Sequence, residues 1–253
     1  MSEDVLAIDV GATSIKFQRF SSDGTPVGKS ARRATQYPCP PERLVSFLTE
    51  RSQLWPTSKI GIGFPGTVSD GVVVDGANLS RVGGAGTPID QELVTLWSGF
   101  DLAAEVVSIT GADVIVDNDA AMAALGCASG NGTELFVTLG TGVGLALMRE
   151  GELVRVRDVG DEQLHSDVTY DELLGERGRR PDEAAWALHV VSAVIALADE
   201  FRADMIHLAG GNARRLSPRI FGDWAPHVTI EPHQPALRGA WRCLLYTSDA
   251  ADE

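Results

Sequence analysis

The sequence has little of what staples, anchors or wraps a chain. It holds three cysteines in 253 residues, Cys39, Cys127 and Cys243. The number is odd and no two are close, so neither a disulfide framework nor a Cys-rich zinc site is suggested. Their expected role is as small buried hydrophobes. Basic charge is also scarce. Lys+Arg is 21 against Asp+Glu 35, a net charge of −14. That speaks against a nucleic-acid binder, whose footprint is basic, and against a chain held to anionic lipid by charge. Long hydrophobic runs are missing. The most apolar stretch, Trp186 to Phe201, contains His189 and Asp199 and reads as too short and too polar to span a membrane. Asp4 and Asp9 interrupt the start, so no targeting signal is read there, and a cytoplasmic setting without a membrane partner is expected. The histidines at 165, 189, 207, 227 and 233 lack metal-ligand spacing, and His189 and His207 read as packing residues. No Walker A sequence or Gly-x-Gly-x-x-Gly follows the first strand.

What is present is an ordinary globular composition, 44% hydrophobic and 22% charged, with 27 glycines gathered in short runs. The length suits one large or two modest domains. Val5 to Ile8 reads as a strand, followed by a loop around Gly11, an alternating strand Ile15 to Phe20, an Asp23-Gly24 turn and a return strand Thr25 to Ser30. The same pattern recurs at residues 134 to 156, with Gly140 in the place of Gly11 and Glu150-Gly151 in the place of Asp23-Gly24. Two such openings, each continued by helices and strands, predict two similar α/β domains whose loops face each other across a cleft. Chance similarity is the alternative, since any meander needs turn glycines. The expected boundaries are 1–108 and 109–242. Residues 76 to 88 read as a long functional loop, Pro88 to Trp97 and Ala236 to Trp241 as helices.

A short Gly/Thr loop after a buried strand exposes backbone N–H groups and forms an anion nest, with phosphate the usual guest. Gly11, Ala12, Thr13, Gly140, Thr141, Gly142 and Gly144 fit this use. Lys16 adds a point charge, unless it is a solvated strand residue. Asp9 can hold a hydrated Mg²⁺ that bridges phosphate oxygens. Asp117-Asn118-Asp119 lies at a strand end, where ligands sit in parallel sheets. A carboxylate there can take a proton from a hydroxyl, and Asn118 can bond another. The plainer alternative is a helix N-cap. Gly210-Gly211-Asn212 is a third glycine turn, able to let an adenine ring lie against backbone. The arginines Arg177, Arg179 and Arg180 read as a solvated turn or, alternatively, as a patch for a polyanion.

At these residues the sequence resembles the ROK family of sugar kinases, within the actin-like ATPase fold. Asp9-Val-Gly-Ala-Thr13-Ser-Ile-Lys16 is similar to the family's first phosphate motif, Asp-x-Gly-Gly-Thr-x-x-Lys. Gly63-Phe-Pro-Gly66 and Asn78-Leu79 are similar to its sugar-side segments, and Asn118-Asp119 to its Asn-Asp, whose Asp is the base. Leu139 to Gly144 is similar to the second phosphate motif and Ala209 to Asn212 to the adenosine motif. The resemblance covers residues 4 to about 242 and leans to the glucokinase and polyphosphate glucokinase branch.

The resemblance implies an α/β fold of two actin-like, ribonuclease H-like domains. It implies a hexose kinase with Asp119 as base, and with Gly66, Asn78, Asn118, Asp158 and Asp161 on the sugar. ATP or polyphosphate would be held by Asp9, Lys16, the two loops and Gly210, Gly211 and Asn212. Mg²⁺ near Asp9 would be the cofactor, without zinc, and there is room for a homodimer. Ala12 and Ala209 each replace a family glycine. The family's Glu-x-Gly-His falls at Asp158-Val159-Gly160-Asp161. Asp is shorter than Glu, and an ionised Asp161 only accepts where a histidine can donate, so altered sugar recognition is expected. Residues 244–253 resemble a translated adapter tail, expected to be non-native and to add nothing to the site.

Overall fold

The computed structural model describes residues 2–165, 167–231 and 234–249. His233 and the last four residues of the expected tail lie outside them. The chain divides into two compact units, Met1–Gly126 with Ala236–Glu253, and Cys127–Pro235.

The first unit is built on β1 (Ser2–Val10), whose residues Val5, Leu6, Ala7, Ile8 and Val10 are all buried. An unbroken apolar run is what a strand covered on both faces requires. β2 (Ser14–Phe20) and β3 (Pro26–Ala34) continue antiparallel from one edge. α1 (Pro41–Leu54) leads to β4 (Thr57–Phe64), which lies parallel on the other edge of β1. A small sheet of β5 (Thr67–Ser69), β6 (Val72–Asp75) and β7 (Phe100–Asp101) brackets α2 (Gln91–Trp97). Then come α3 (Leu102–Thr110), β8 (Asp113–Asn118) and α4 (Asp119–Cys127). The main sheet order is β3-β2-β1-β4-β8.

On one face of this sheet Leu6, Ile8, Phe17, Ile60 and Ile62 pack against Leu44, Leu48 and Val106. On the other, Ala7 and Phe20 pack against Met122, Ala123, Ala236, Leu237 and Ala240. At Gly61 a Cβ would strike the carbonyl of Ala240. Only glycine lets that helix lie so close to the strand.

The second unit repeats the plan. β9 (Thr133–Leu139), β10 (Val143–Arg149) and β11 (Glu152–Val154) form the meander. β12 (Gln163–His165), β13 (Val168–Thr169), α5 (Tyr170–Leu174) and α6 (Glu176–Arg179) precede α7 (Glu183–Phe201). β14 (Met205–Ala209) and β15 (Val228–Ile230) follow, both in parallel pairings. The order β11-β10-β9-β14-β15 matches the first sheet strand for strand. The chain then returns to the first unit as α8 (Pro235–Asp249).

Several expectations meet differences. The break is not at residue 108, because β8 pairs with β4 from Lys59↔Asp113 to Phe64↔Asn118 and so belongs to the first sheet. Residues up to 242 do not all stay with the second unit either, since α8 packs on Ala7 and Phe20. The helix foreseen from Pro88 starts at Gln91, because Asp90 accepts the N–H groups of Glu92 and Leu93 as a cap. The 76–88 loop holds a 3₁₀ turn, Ala77–Ser80. α7 has 19 residues and is long and apolar enough to cross a membrane by length and composition, against the expectation. Yet Trp186, Val190, Val194 and Leu197 lie in the core of its unit. His189 on that helix is exposed rather than packed. Cys39 alone of the cysteines is fully buried, and burial raises its thiol pKa to about 11. The tail is not wholly outside the fold. Leu244 is 2% exposed, and its carbonyl lies 3.5 Å from Lys59 Nζ.

Candidate active site

In the first unit, register brings the expected residues to one end of the sheet. Lys16 pairs with Asp9, Asp9 with Gly63 and Gly63 with Asp117. Lys16 Nζ donates to Asp9 Oδ2 at 2.6 Å. Asp9 is 6% exposed, so the lysine charge offsets a carboxylate that would be costly to bury alone. The loop Gly11–Thr13 follows directly. Gly11 N–H closes it on Ser14 O at 3.1 Å.

The Asp117-Asn118-Asp119 segment separates into distinct roles. Asp117 accepts the N–H of Asn118 at 2.7 Å. Asn118 Oδ1 accepts the N–H groups of Ala120 and Ala121 at 2.9 and 3.1 Å, so Asn118 is the helix cap. Its amide also donates to Gly66 O at 3.0 Å. Asn118 therefore serves as a strut, the helix-cap use that the sequence left open beside sugar binding. Asp119 opens α4 and is half-buried, with its Cα 3.4 Å from where a Gly63 Cβ would stand. A carboxylate at a helix N-terminus is stabilised by the helix dipole. Gly66 leaves no room for a Cβ, which would strike Asp75 O. Asn78 sits in the 3₁₀ turn and makes no side-chain hydrogen bond among the described residues.

In the second unit the loop Gly140–Gly144 closes β9 and β10. Gly140 N–H donates to Gly142 O at 2.9 Å, and Gly144 N–H to Thr138 Oγ1 at 3.1 Å. Gly210, at φ 92, turns the chain after β14 so that Asn212 N–H reaches Leu139 O at 3.0 Å. Asn212 Nδ2 then donates to Gly140 O at 2.8 Å. The loop Gly140–Gly144 and the turn Gly210–Asn212 are thus one hydrogen-bonded structure. Space is open around the Cα of both Gly140 and Gly211.

Asp158 and Asp161 are exposed. Asp158 Oδ1 accepts the N–H of Gly160 at 2.9 Å, so its carboxylate bends onto its own turn. The arginine group is no open patch. Arg179 bonds Glu176 and Glu183, Arg180 bonds Glu176, and Arg177 bonds Glu172. The Arg179 bond leads in holding Glu176 down at about 2, with Arg180 and Asn212 adding to it against burial.

Sequence reasoning missed three residues here. Asp171 Oδ1 accepts the N–H of Val143 at 2.7 Å, and its carboxylate covers Gly142 so closely that a Cβ there would strike it. Asp171 N–H donates to Gly160 O at 2.9 Å, tying the loop Gly140–Gly144 to the Asp158–Asp161 turn. Its sequence signal, Thr169-Tyr170-Asp171-Glu172, reads as a capping box, and Thr169 and Glu172 do form one. Thr35 and Tyr37 hold the first loop and carry no signal at all.

His207 is also more than packing. Its Nδ1 lies 2.6 Å from Glu231 Oε1, and its Nε2 lies 2.9 Å from Glu134 Oε2 but off line for a hydrogen bond. Phe136 stacks on the ring at 4.3 Å. Burial pushes the Glu231 carboxyl up, but bonds from His207 and Cys127 outweigh it, and the net shift is downward.

Two sheets with the same strand order, each led by a meander and a glycine loop, define the actin-like ATPase fold. The sequence pattern of the ROK family matches residues 5–162, and the chain belongs to that family. It is 26% identical over 250 residues to the polyphosphate glucokinase of Mycobacterium leprae, covering 92% of this chain and 69% of that one. Its fold is similar to the inorganic polyphosphate/ATP-glucomannokinase of Arthrobacter sp. strain KM, with a TM-score of 0.75 at 21% identity over 97% and 100% of the chains. A ROK family glucokinase from Streptomyces griseus, solved with glucose and AMPPNP, gives 0.70 at 19% identity over 95% and 98%.

Proposed function

We propose that this chain is a sugar kinase that transfers a phosphoryl group from ATP or polyphosphate to the 6-hydroxyl of a hexose, with glucose as first acceptor. The observation that carries the reading is the row of strand ends in the first unit, where Asp9, the loop Gly11–Thr13 and Asp119 come together. Family membership and the polyphosphate glucokinase relatives support it.

In this reading Asp119 accepts the proton of the sugar hydroxyl as it attacks the terminal phosphorus. Asn118 keeps α4 and the Gly66 turn in place, and Asn78 offers an amide to a sugar hydroxyl. The N–H groups of the first loop receive phosphate, and Lys16 adds positive charge. Phosphoryl transfer needs chiefly such positioning and charge neutralisation. Gly210, Gly211 and Asn212 shape the nucleotide side of the second unit, and the pairing of Asn212 with Gly140 fixes it to the loop Gly140-Thr141-Gly142 with Gly144. Asp9 fits a Mg²⁺ that arrives with phosphate and water, because Mg²⁺ binds through one or two carboxylates plus substrate oxygens. Such an ion would supply charge neutralisation at the phosphate.

The bent carboxylate of Asp158 favours one variant of this reading, an acceptor other than glucose or a weakly held glucose. A panel of hexoses and simple alcohols, assayed with ATP and with polyphosphate, tests both. Phosphorylation of a hexose at the 6-position supports the proposal. Turnover of no sugar with either donor ends it.

A further inference from the structure

In the first unit the phosphate loop is gripped by its carbonyls. Thr35 Oγ1 donates to Gly11 O at 2.6 Å, the Tyr37 hydroxyl donates to Ala12 O at 2.7 Å, and Thr35 N–H donates to Thr13 O at 3.1 Å. Three successive carbonyls are thus taken by two residues that follow β3. A trans peptide is planar, and its C=O and N–H point in opposite directions. Pinning Gly11 O and Ala12 O therefore turns the N–H groups of Ala12 and Thr13 away from Thr35 and Tyr37. Successive N–H groups aimed together form an anion nest. Neither Gly11 nor Ala12 has a side chain able to set this direction for itself.

We propose that Thr35 and Tyr37 are the positioning residues of the donor site, holding the peptides that follow Gly11 and Ala12 so that the loop presents its backbone to a donor phosphate that neither residue touches. This rests on the sugar-kinase reading above. Tyr37 also reaches the acceptor-side loop. A Cβ on Gly84, which has φ +84, would come within 2.8 Å of the Tyr37 ring. One side chain thus bonds the phosphate loop through its hydroxyl and supports residues 76–88 through its ring. Burial raises the pKa of that hydroxyl, so it remains a donor through neutral and mildly alkaline pH.

The test uses the full chain and titration calorimetry with two probes, inorganic tripolyphosphate and glucose. Thr35→Val and Tyr37→Phe each remove one hydroxyl and keep the shape. Each is expected to weaken tripolyphosphate binding about 3- to 10-fold, and the pair about 10- to 50-fold, the scale of one and two lost hydrogen bonds. Glucose affinity should stay within about 2-fold, because the Tyr37 ring still supports Gly84. Thr35→Ser keeps the hydroxyl and should bind as the native chain does, which separates loss of the bond from loss of the fold. In steady state the donor KM should rise more than kcat falls. Equal tripolyphosphate affinity in the native chain and the double variant overturns the inference. So does equal weakening for both probes, which would make the two residues general scaffold. Binding of neither probe by the native chain overturns the sugar-kinase reading itself and this inference with it.

Discussion

The two glycine loops close hairpins of the same strand order, yet their peptide groups are tied by different partners. In the first unit the carbonyls of Gly11, Ala12 and Thr13 are held by Thr35 and Tyr37. In the second, the N–H groups of Gly140, Val143 and Gly144 are held by Gly142 O, Asp171 and Thr138. The ends of the last strands differ in the same way. β8 runs out into Asp117, Asn118 and Asp119, whereas β15 runs out into Glu231, which is buried against His207. A repeated topology therefore carries two hydrogen-bond patterns. One copy ties its loop carbonyls to side chains beyond β3 and presents a carboxylate at a helix start. The other ties N–H groups and a carbonyl of its loop to Asp171, Thr138 and Asn212 of its own unit.

That contrast can be broken at several points. The largest effect should come from His207→Leu, which takes the ring partner from the buried carboxyl group of Glu231. Leaving a buried carboxyl group without its hydrogen-bond partner costs about 3 kcal/mol, measured as lost stability in urea, and the first unit should supply none of it. Next is Asp119→Asn, which should lower sugar phosphorylation by at least ~10²-fold, the low end of general-base effects, with the urea midpoint unchanged. Unchanged turnover would remove Asp119 from its role.

Asp171→Ala frees the Val143 N–H from a charged partner and should cost about 1.5–3 kcal/mol. If the second loop is held as described, amide exchange at Val143 should rise sharply in this variant. The smallest effect is a pH dependence. Glu176 has its pKa lowered from 4.5 to about 2, so its contribution is complete above 4.5 and is lost as the pH falls towards 2. Glu176→Gln should flatten that part of the acid-stability curve and lower stability at neutral pH. An unchanged curve would show that the Arg179 pair adds nothing.

How much of this could be read beforehand depended on range. The meanders were legible because turn glycines and apolar strands are local signals, and the matching openings at residues 5 and 134 pointed to the duplication. The cap at Asn118 was legible only as one of two uses, since Asp and Asn serve both caps and chemistry. The domain break was not, because the pairing of β8 with β4 joins residues some fifty positions apart, and no periodicity reports a partner. Thr35 and Tyr37 were invisible for the same reason. Their side chains act on backbone atoms of residues 11 and 12, and backbone acceptors have no sequence of their own. The short exposed turn at Asp158 was found only through the family motif.

The return of α8 to the first sheet carries a consequence for how the protein is made. The core formed by Ala7, Phe20, Met122 and Ala123 needs Ala236, Leu237 and Ala240 to close it, and the Trp241 indole donates to Ser21 O at 3.1 Å. A ribosome delivers residues 127–235, one unbroken stretch, before it delivers α8. Domains emerging from the ribosome generally fold from the N-terminus onward. Here the order is inverted. The unit synthesised second is the first to have all of its parts, and the first unit must wait, with the apolar face around Ala7 and Phe20 uncovered, until residues 236–240 are translated.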